Sequence, residues 1–131
     1  MRVLLADDEK VYVESLAKVL RRRGFDVIAV LDGSSAIDAV SSADFDVIVL
    51  DLRMPGMDGL AALQTIRRSD TLTPVLLLTG HADLEHTTKA LKSGAADVLM
   101  KPCPVETLAS AIEDASERKG YAKEVEDQQR K

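Results

Sequence analysis

Aromatic residues make up only 3% of this chain: two Tyr, two Phe and no Trp. Single-stranded nucleic acids are gripped by platforms of stacking rings, so that class of binder is disfavoured. The core must instead be built from Leu, Val, Ile and Ala. One cysteine, Cys103, leaves no partner for a disulfide within the chain. No stretch approaches the roughly 20 apolar residues of a membrane span. The opening residues also lack the charged, apolar, small-residue order of a signal peptide. A cytoplasmic location with no membrane contact is expected. Basic charge is short as well, with 17 Lys plus Arg against 22 Asp plus Glu and a net charge of −5. That is the wrong sign for gripping a phosphate backbone, so no direct nucleic-acid contact is expected.

The 131 residues, 46% hydrophobic and 30% charged, suit one domain with a packed core. Five short apolar runs, Val3 to Ala6, Val27 to Val30, Val47 to Leu50, Val75 to Leu78 and Val98 to Met100, alternate with segments of helical period. Continuous apolar runs are what strands covered by helices on both faces look like. Helices are expected from about Asp8 or Lys10 to Gly24, after a cap at Asp32 or Ser34, over Leu60 to Arg68, from about Asp83 to Ser93, and after Pro104. The pattern reads as an α/β domain, a doubly wound five-stranded parallel sheet, for which the common order 2-1-3-4-5 is expected. It fills residues 1–116. Residues 117–131 read as a charged extension of the last helix or a linker.

In such a sheet, ligands bind beyond the carboxyl ends of the strands, where strand order reverses. Asp7 and Asp8 follow the first run, Asp51 the third, Thr79 the fourth and Lys101 the fifth. Each has a bland alternative: an Asp after a strand is often a helix cap, a Lys there is often solvated, and a Thr often bonds local backbone. Their delivery to one edge, with uncharged strand interiors, favours a site. Three convergent carboxylates repel one another and call for a cation, and a hard oxygen-seeking ion such as Mg²⁺ is the natural one. Phosphoryl transfer would use the rest: Asp51 as nucleophile, Lys101 as a positive partner for the transferred group, Thr79 as a hydrogen-bond donor to it.

These residues resemble the response-regulator receiver domain of two-component signalling, with a CheY-like, flavodoxin-like fold. The resemblance rests on Leu4-Leu5-Ala6-Asp7-Asp8-Glu9, on Leu50-Asp51-Leu52-Arg53-Met54-Pro55-Gly56-Met57-Asp58-Gly59, on Leu78-Thr79-Gly80 and on Lys101-Pro102, and it covers Val3 to about Ser116. It implies that Asp51 takes a phosphoryl group from the phosphohistidine of a sensor histidine kinase or histidine phosphotransfer protein, or from acetyl phosphate. It also implies Mg²⁺ held by Asp8, Asp51 and the Arg53 backbone carbonyl, with Asp7 acting through water, and a cis Lys101–Pro102 bond. Thr79 would move toward the phosphate and Lys101 would pair with it.

The family commonly carries Tyr or Phe three residues before that Lys, where this chain has Val98, and Phe where it has Cys103, read here as a small apolar residue. Arg53 and His81 occupy positions that tune phosphoaspartate lifetime. Val11, Tyr12 and Ser15, opposite the core stripe of the first helix, read as solvent-facing and as the kinase docking patch. The fourth helix, fifth strand and fifth helix read as the output face, for a homodimer or a downstream effector, with Lys89, Lys92 and Glu106 as candidates; His86 reads as surface. Such a domain is no enzyme on outside substrates: it catalyses only its own phosphorylation and slow hydrolysis. The alternative is an aspartyl-phosphate phosphatase of the haloacid-dehalogenase kind. That chemistry wants a second acid two residues after the nucleophile, where Arg53 stands. A flavodoxin-like electron carrier is disfavoured, since no Ser/Thr-rich phosphate loop follows the first run.

Overall fold

The computed structural model describes residues 1–80 and 84–129. Five helices alternate with five strands: β1 (Arg2–Ala6), α1 (Lys10–Arg22), β2 (Asp26–Val30), α2 (Gly33–Ser42), β3 (Val47–Asp51), α3 (Gly59–Ser69), β4 (Val75–Thr79), α4 (Leu84–Lys92), β5 (Asp97–Met100) and α5 (Val105–Gln129). All strand pairs are parallel, in the order β2-β1-β3-β4-β5. The doubly wound α/β fold is as the apolar pattern predicts, and the strand order is the common one expected for such a sheet. No helix among the described residues is long and apolar enough to cross a membrane.

The sheet's two faces carry separate core layers. Val3, Leu5, Val47, Val49, Leu76 and Leu78 point to one side, against Val13, Leu16, Ala17 and Leu20 of α1 and Leu108, Ala109 and Ile112 of α5. Leu4, Ala6, Ile48, Leu50, Val75 and Leu77 point to the other, against α2, α3 and Ala90 of α4. This alternation along each strand is why β3 and β4 are buried at every position. Each fully buried Leu, Ile or Val contributes roughly 1.5–3 kcal/mol relative to exposure. The edge strands fall short of the expected two-sided cover. Ile28 on β2 and Met100 on β5 are exposed, on strands that each pair with one neighbour.

The helix ends follow local chemistry. Asp32 caps α2, accepting from the Ser35 N–H at 2.7 Å, and Asp58 caps α3, accepting from Ala61 N–H at 2.8 Å. Of the two caps offered for α2, the structure uses Asp32. Gly24 stops α1 with φ +98°, a conformation glycine adopts at no steric cost. The expected start of the fourth helix at Asp83 lies outside the described residues. The tail, left open by the sequence between helix and linker, continues α5 without a break to Gln129. Lys119 ties this extension down: its ammonium donates to the Phe45 carbonyl at 2.6 Å and to the Thr73 hydroxyl at 2.9 Å.

Candidate phosphoacceptor site

The pairing of β1 with β3 sets Ala6 beside Leu50, so the next residue of each strand, Asp7 and Asp51, emerges side by side at the carboxyl edge. Asp7 is 1% exposed and Asp51 6%. Asp8, one residue further, lies on the exposed rim. Carboxylate oxygens of Asp7, Asp8 and Asp51 all lie within 4.8 Å of one another. On the far side of β3, Thr79 ends β4 and is buried. Its carbonyl accepts the Lys101 N–H at 2.7 Å, which fixes the residue after β5 against the end of β4.

From there Lys101 reaches back across the sheet. Its ammonium donates to Asp7 Oδ2 at 2.7 Å and to Asp51 Oδ2 at 3.3 Å, with only 15% of its side chain exposed. The other oxygens are held by backbone: Asp7 Oδ1 accepts the Glu9 N–H at 2.9 Å, and Asp51 Oδ1 the Arg53 N–H at 3.3 Å. The Lys101–Pro102 peptide bond is cis.

Burial and the neighbouring Asp7 charge push the Asp51 carboxyl above the ordinary carboxylate range, against the pull of Lys101 and the Arg53 N–H. Burial works to lower the Lys101 ammonium, but its bond to Asp7 and the two carboxylate charges outweigh that and raise it. Lys101 is therefore positively charged at neutral pH, and among the described residues it is the cation paired with this pocket of three acids. That excess of negative charge, presented by oxygen atoms alone, suits a hard divalent cation.

The profile of the response regulator receiver domain family matches residues 3–113. The chain belongs to that family. Receiver domains are signalling domains of two-component systems, and phosphorylation on Asp is implied by the family. The receiver is 36% identical over 126 residues to the cell cycle response regulator CtrA of Brucella ovis, covering 95% of this chain and 54% of that protein. It is 33% identical over 124 residues to the regulatory protein AtoC of Escherichia coli, covering 95% of this chain and 27% of that one. This receiver thus spans about a quarter to about half the length of these relatives. Among solved structures, a Francisella response regulator 1452 receiver domain superposes with a TM-score of 0.83 at 32% identity, covering 89% of this chain and 97% of that one. NtrX from Brucella abortus, in complex with ATP, gives 0.89 at 30% identity, covering 96% of this chain and 29% of its own. The phosphatase alternative gains no support: the position two residues past Asp51 holds the exposed Arg53, not a second acid.

Several of the receiver's other sequence expectations change in detail. Val11, 81% exposed, and Ser15 are solvent-facing, as read from the helical period. Tyr12 is not solvent-facing. It is half-buried against the α1–α5 core layer, and its ring centroid lies 4.7 Å from the Lys101 ammonium. The helical period gave the direction of its Cα and not the reach of the ring. Val98 is half-buried against the opposite core layer. Cys103 packs beside the α1–α5 layer, and burial pushes its thiol up, which fits a small apolar filler rather than a reactive thiolate. On the output face Lys89 pairs with Glu85 at 3.5 Å, and Glu106 pairs back to Arg23 at 3.3 Å. The lifetime candidate His81 lies outside the described residues. Sequence reasoning missed Gly59 as a packing residue: a Cβ there would stand 2.4 Å from the Asp51 carbonyl oxygen. The Gly closing the Asp51 loop was the visible signal.

Proposed function

We propose that Asp51 is the phosphoacceptor of a two-component signalling switch, with Lys101 and Thr79 as its partners. The observation that carries the reading is the reach of Lys101 across β4 to both Asp7 and Asp51 at the switch point of the sheet. Asp7, Asp8, Asp51 and the backbone carbonyl of Arg53 would hold Mg²⁺. When bound, this ion neutralises charge on the transferred phosphoryl oxygens. An Asp51 carboxylate oxygen attacks the phosphorus of a phosphohistidine. The new O–P bond forms as the P–N bond breaks, and the imidazole nitrogen leaves with the electron pair and takes up a proton. Lys101 exchanges its contact with Asp51 for one with a phosphoryl oxygen, and the Thr79 hydroxyl donates to another.

The donor is a sensor histidine kinase or a histidine phosphotransfer protein, docking beside Val11 and Ser15. The acyl phosphate shifts the populations of the α4–β5–α5 face, which meets a second copy or an effector. Arg53, exposed beside Asp51, screens the phosphoryl group from water and sets its lifetime. The domain turns over only its own phosphoryl group, in the cytoplasm, without contacting nucleic acid or membrane. The test is intact mass after incubation with acetyl phosphate and Mg²⁺. One phosphoryl adduct, stable in acid and labile in base, is expected on the native chain and absent from Asp51→Asn. No adduct, or sustained turnover of unrelated phosphate monoesters, overturns the reading.

A further inference from the structure

Lys101 has three N–H donors, and two are taken by Asp7 and Asp51. The ammonium also lies over the face of Tyr12, 4.7 Å from the ring centroid, in cation–π range. The ring packs against the α1–α5 core layer, and that contact restrains its rotation. Its phenol is raised from its ordinary range by burial, which outweighs the opposing pull of Lys101, so at neutral pH the ring stands neutral against the cation. Tyr12 belongs to the first turn of α1, the same turn that exposes Val11. β5 supplies no ring of its own near Lys101, since Val98 packs into the other core layer.

We infer that Tyr12 is a positioning residue for phosphoryl transfer, holding the Lys101 ammonium over the acceptor site through its ring face. This rests on Asp51 being the acceptor. A lysine chain has four rotatable bonds, and without a wall beside it the ammonium spends part of its time in water. The fraction of molecules with the cation in place then falls, and with it the rate at which Asp51 captures a phosphoryl group. The hydroxyl of Tyr12 plays no part, so phenylalanine serves as well. Because the ring sits at the root of the exposed Val11 patch, a partner pressing on that turn of α1 also presses on the seat of Lys101.

The experiment uses acetyl phosphate and Mg²⁺, which bypasses protein docking, with the rate of adduct formation on the native chain, Tyr12→Phe and Tyr12→Leu followed by intact mass. Leu keeps apolar volume against the core but has no ring face. Tyr12→Leu is expected to react about fivefold more slowly, with Tyr12→Phe recovering the native rate. A native rate in Tyr12→Leu, or a Tyr12→Phe rate as slow as that of Tyr12→Leu, overturns the inference. A second reading needs no variant: ring current should move the Lys101 ε-methylene proton resonances upfield in the native protein, and resonances at the position of a solvated lysine overturn it. Failure of the native chain itself to form an adduct would instead sink the acceptor reading.

Discussion

Replacing Gly59 by Ala probes how the acceptor is held. Gly59 opens α3 and donates its N–H to the Leu52 carbonyl at 2.9 Å, which clamps the helix onto the end of β3. A Cβ at this position would meet the Asp51 carbonyl oxygen at 2.4 Å, the Leu52 Cα at 2.8 Å and the Asp51 carbonyl carbon at 3.0 Å, whereas ordinary contact begins near 3.4 Å. All three are backbone atoms that no side-chain rotation can remove. The helix start and the strand end must separate by about 1 Å, at a cost typical of overpacking, about 2 kcal/mol. Because the strand end carries the proposed nucleophile, Asp51, a shift of about 1 Å is expected to slow phosphorylation by roughly 10- to 100-fold. The control is the same substitution at Gly120, inside α5, where nothing lies within 4 Å of the new methyl. There Ala is expected to stabilise by about 0.5–1 kcal/mol and leave the phosphorylation rate alone. Urea unfolding midpoints and the time course of adduct formation with acetyl phosphate read both quantities. Equal effects of the two substitutions, or a Gly59→Ala protein as stable and as fast as the native one, would refute the account.

Lys119→Met keeps the methylene chain but removes both bonds that fasten α5 to Phe45 and Thr73; a loss of about 2 kcal/mol is expected in urea unfolding, against less than about 0.5 kcal/mol for the exposed Lys123→Met. For Asp70, burial alone would raise the carboxyl, but hydrogen bonds from Thr73 and Leu72 and the charge of Lys119 outweigh it and hold it below its ordinary range. A carboxyl depressed in the folded state adds stability above its unfolded value, about 3.9, that is lost as pH falls through the folded one. The stability advantage of the native chain over Asp70→Asn should therefore be constant near neutral pH and shrink below about pH 4; a gap that widens on acidification would contradict this. Mg²⁺ at about 100 times its dissociation constant should stabilise the native chain by about 2.7 kcal/mol in thermal unfolding. Asp8→Asn, altered only at the exposed rim, should lose most of that shift, and an undiminished shift would remove Asp8 from the ligand set.

The central strands were legible because burial on both faces leaves an unbroken apolar run, and the site because each run is followed by a polar residue on one edge. What stayed hidden depended on distances the chain order does not carry. Tyr12 reads as outward on a helical wheel, yet its ring crosses to a lysine 89 positions away. Lys119 reads as one more charge in a polar tail, though its ammonium finds two acceptors at the opposite end of the sheet from the acids. Glu106 reads as a free output-face charge until the end of α1 is seen to bring Arg23 beside it. Gly59 reads only as the last residue of the loop motif after Asp51, while its missing side chain is what lets α3 touch β3.

β5 is the shortest strand, four residues paired on one side only, and yet it carries Lys101. Edge strands with one partner open locally at lower cost than the sheet centre. A molecule with β5 detached would keep its central sheet and all three acids but lose their counter-charge, and would be silent to a phosphodonor. On the proposed reading of Asp51 and Lys101, phosphate incorporation would count only those molecules whose last strand is seated, so an agent that grips or frees this edge would act as a throttle on the incoming signal without touching the proposed acceptor.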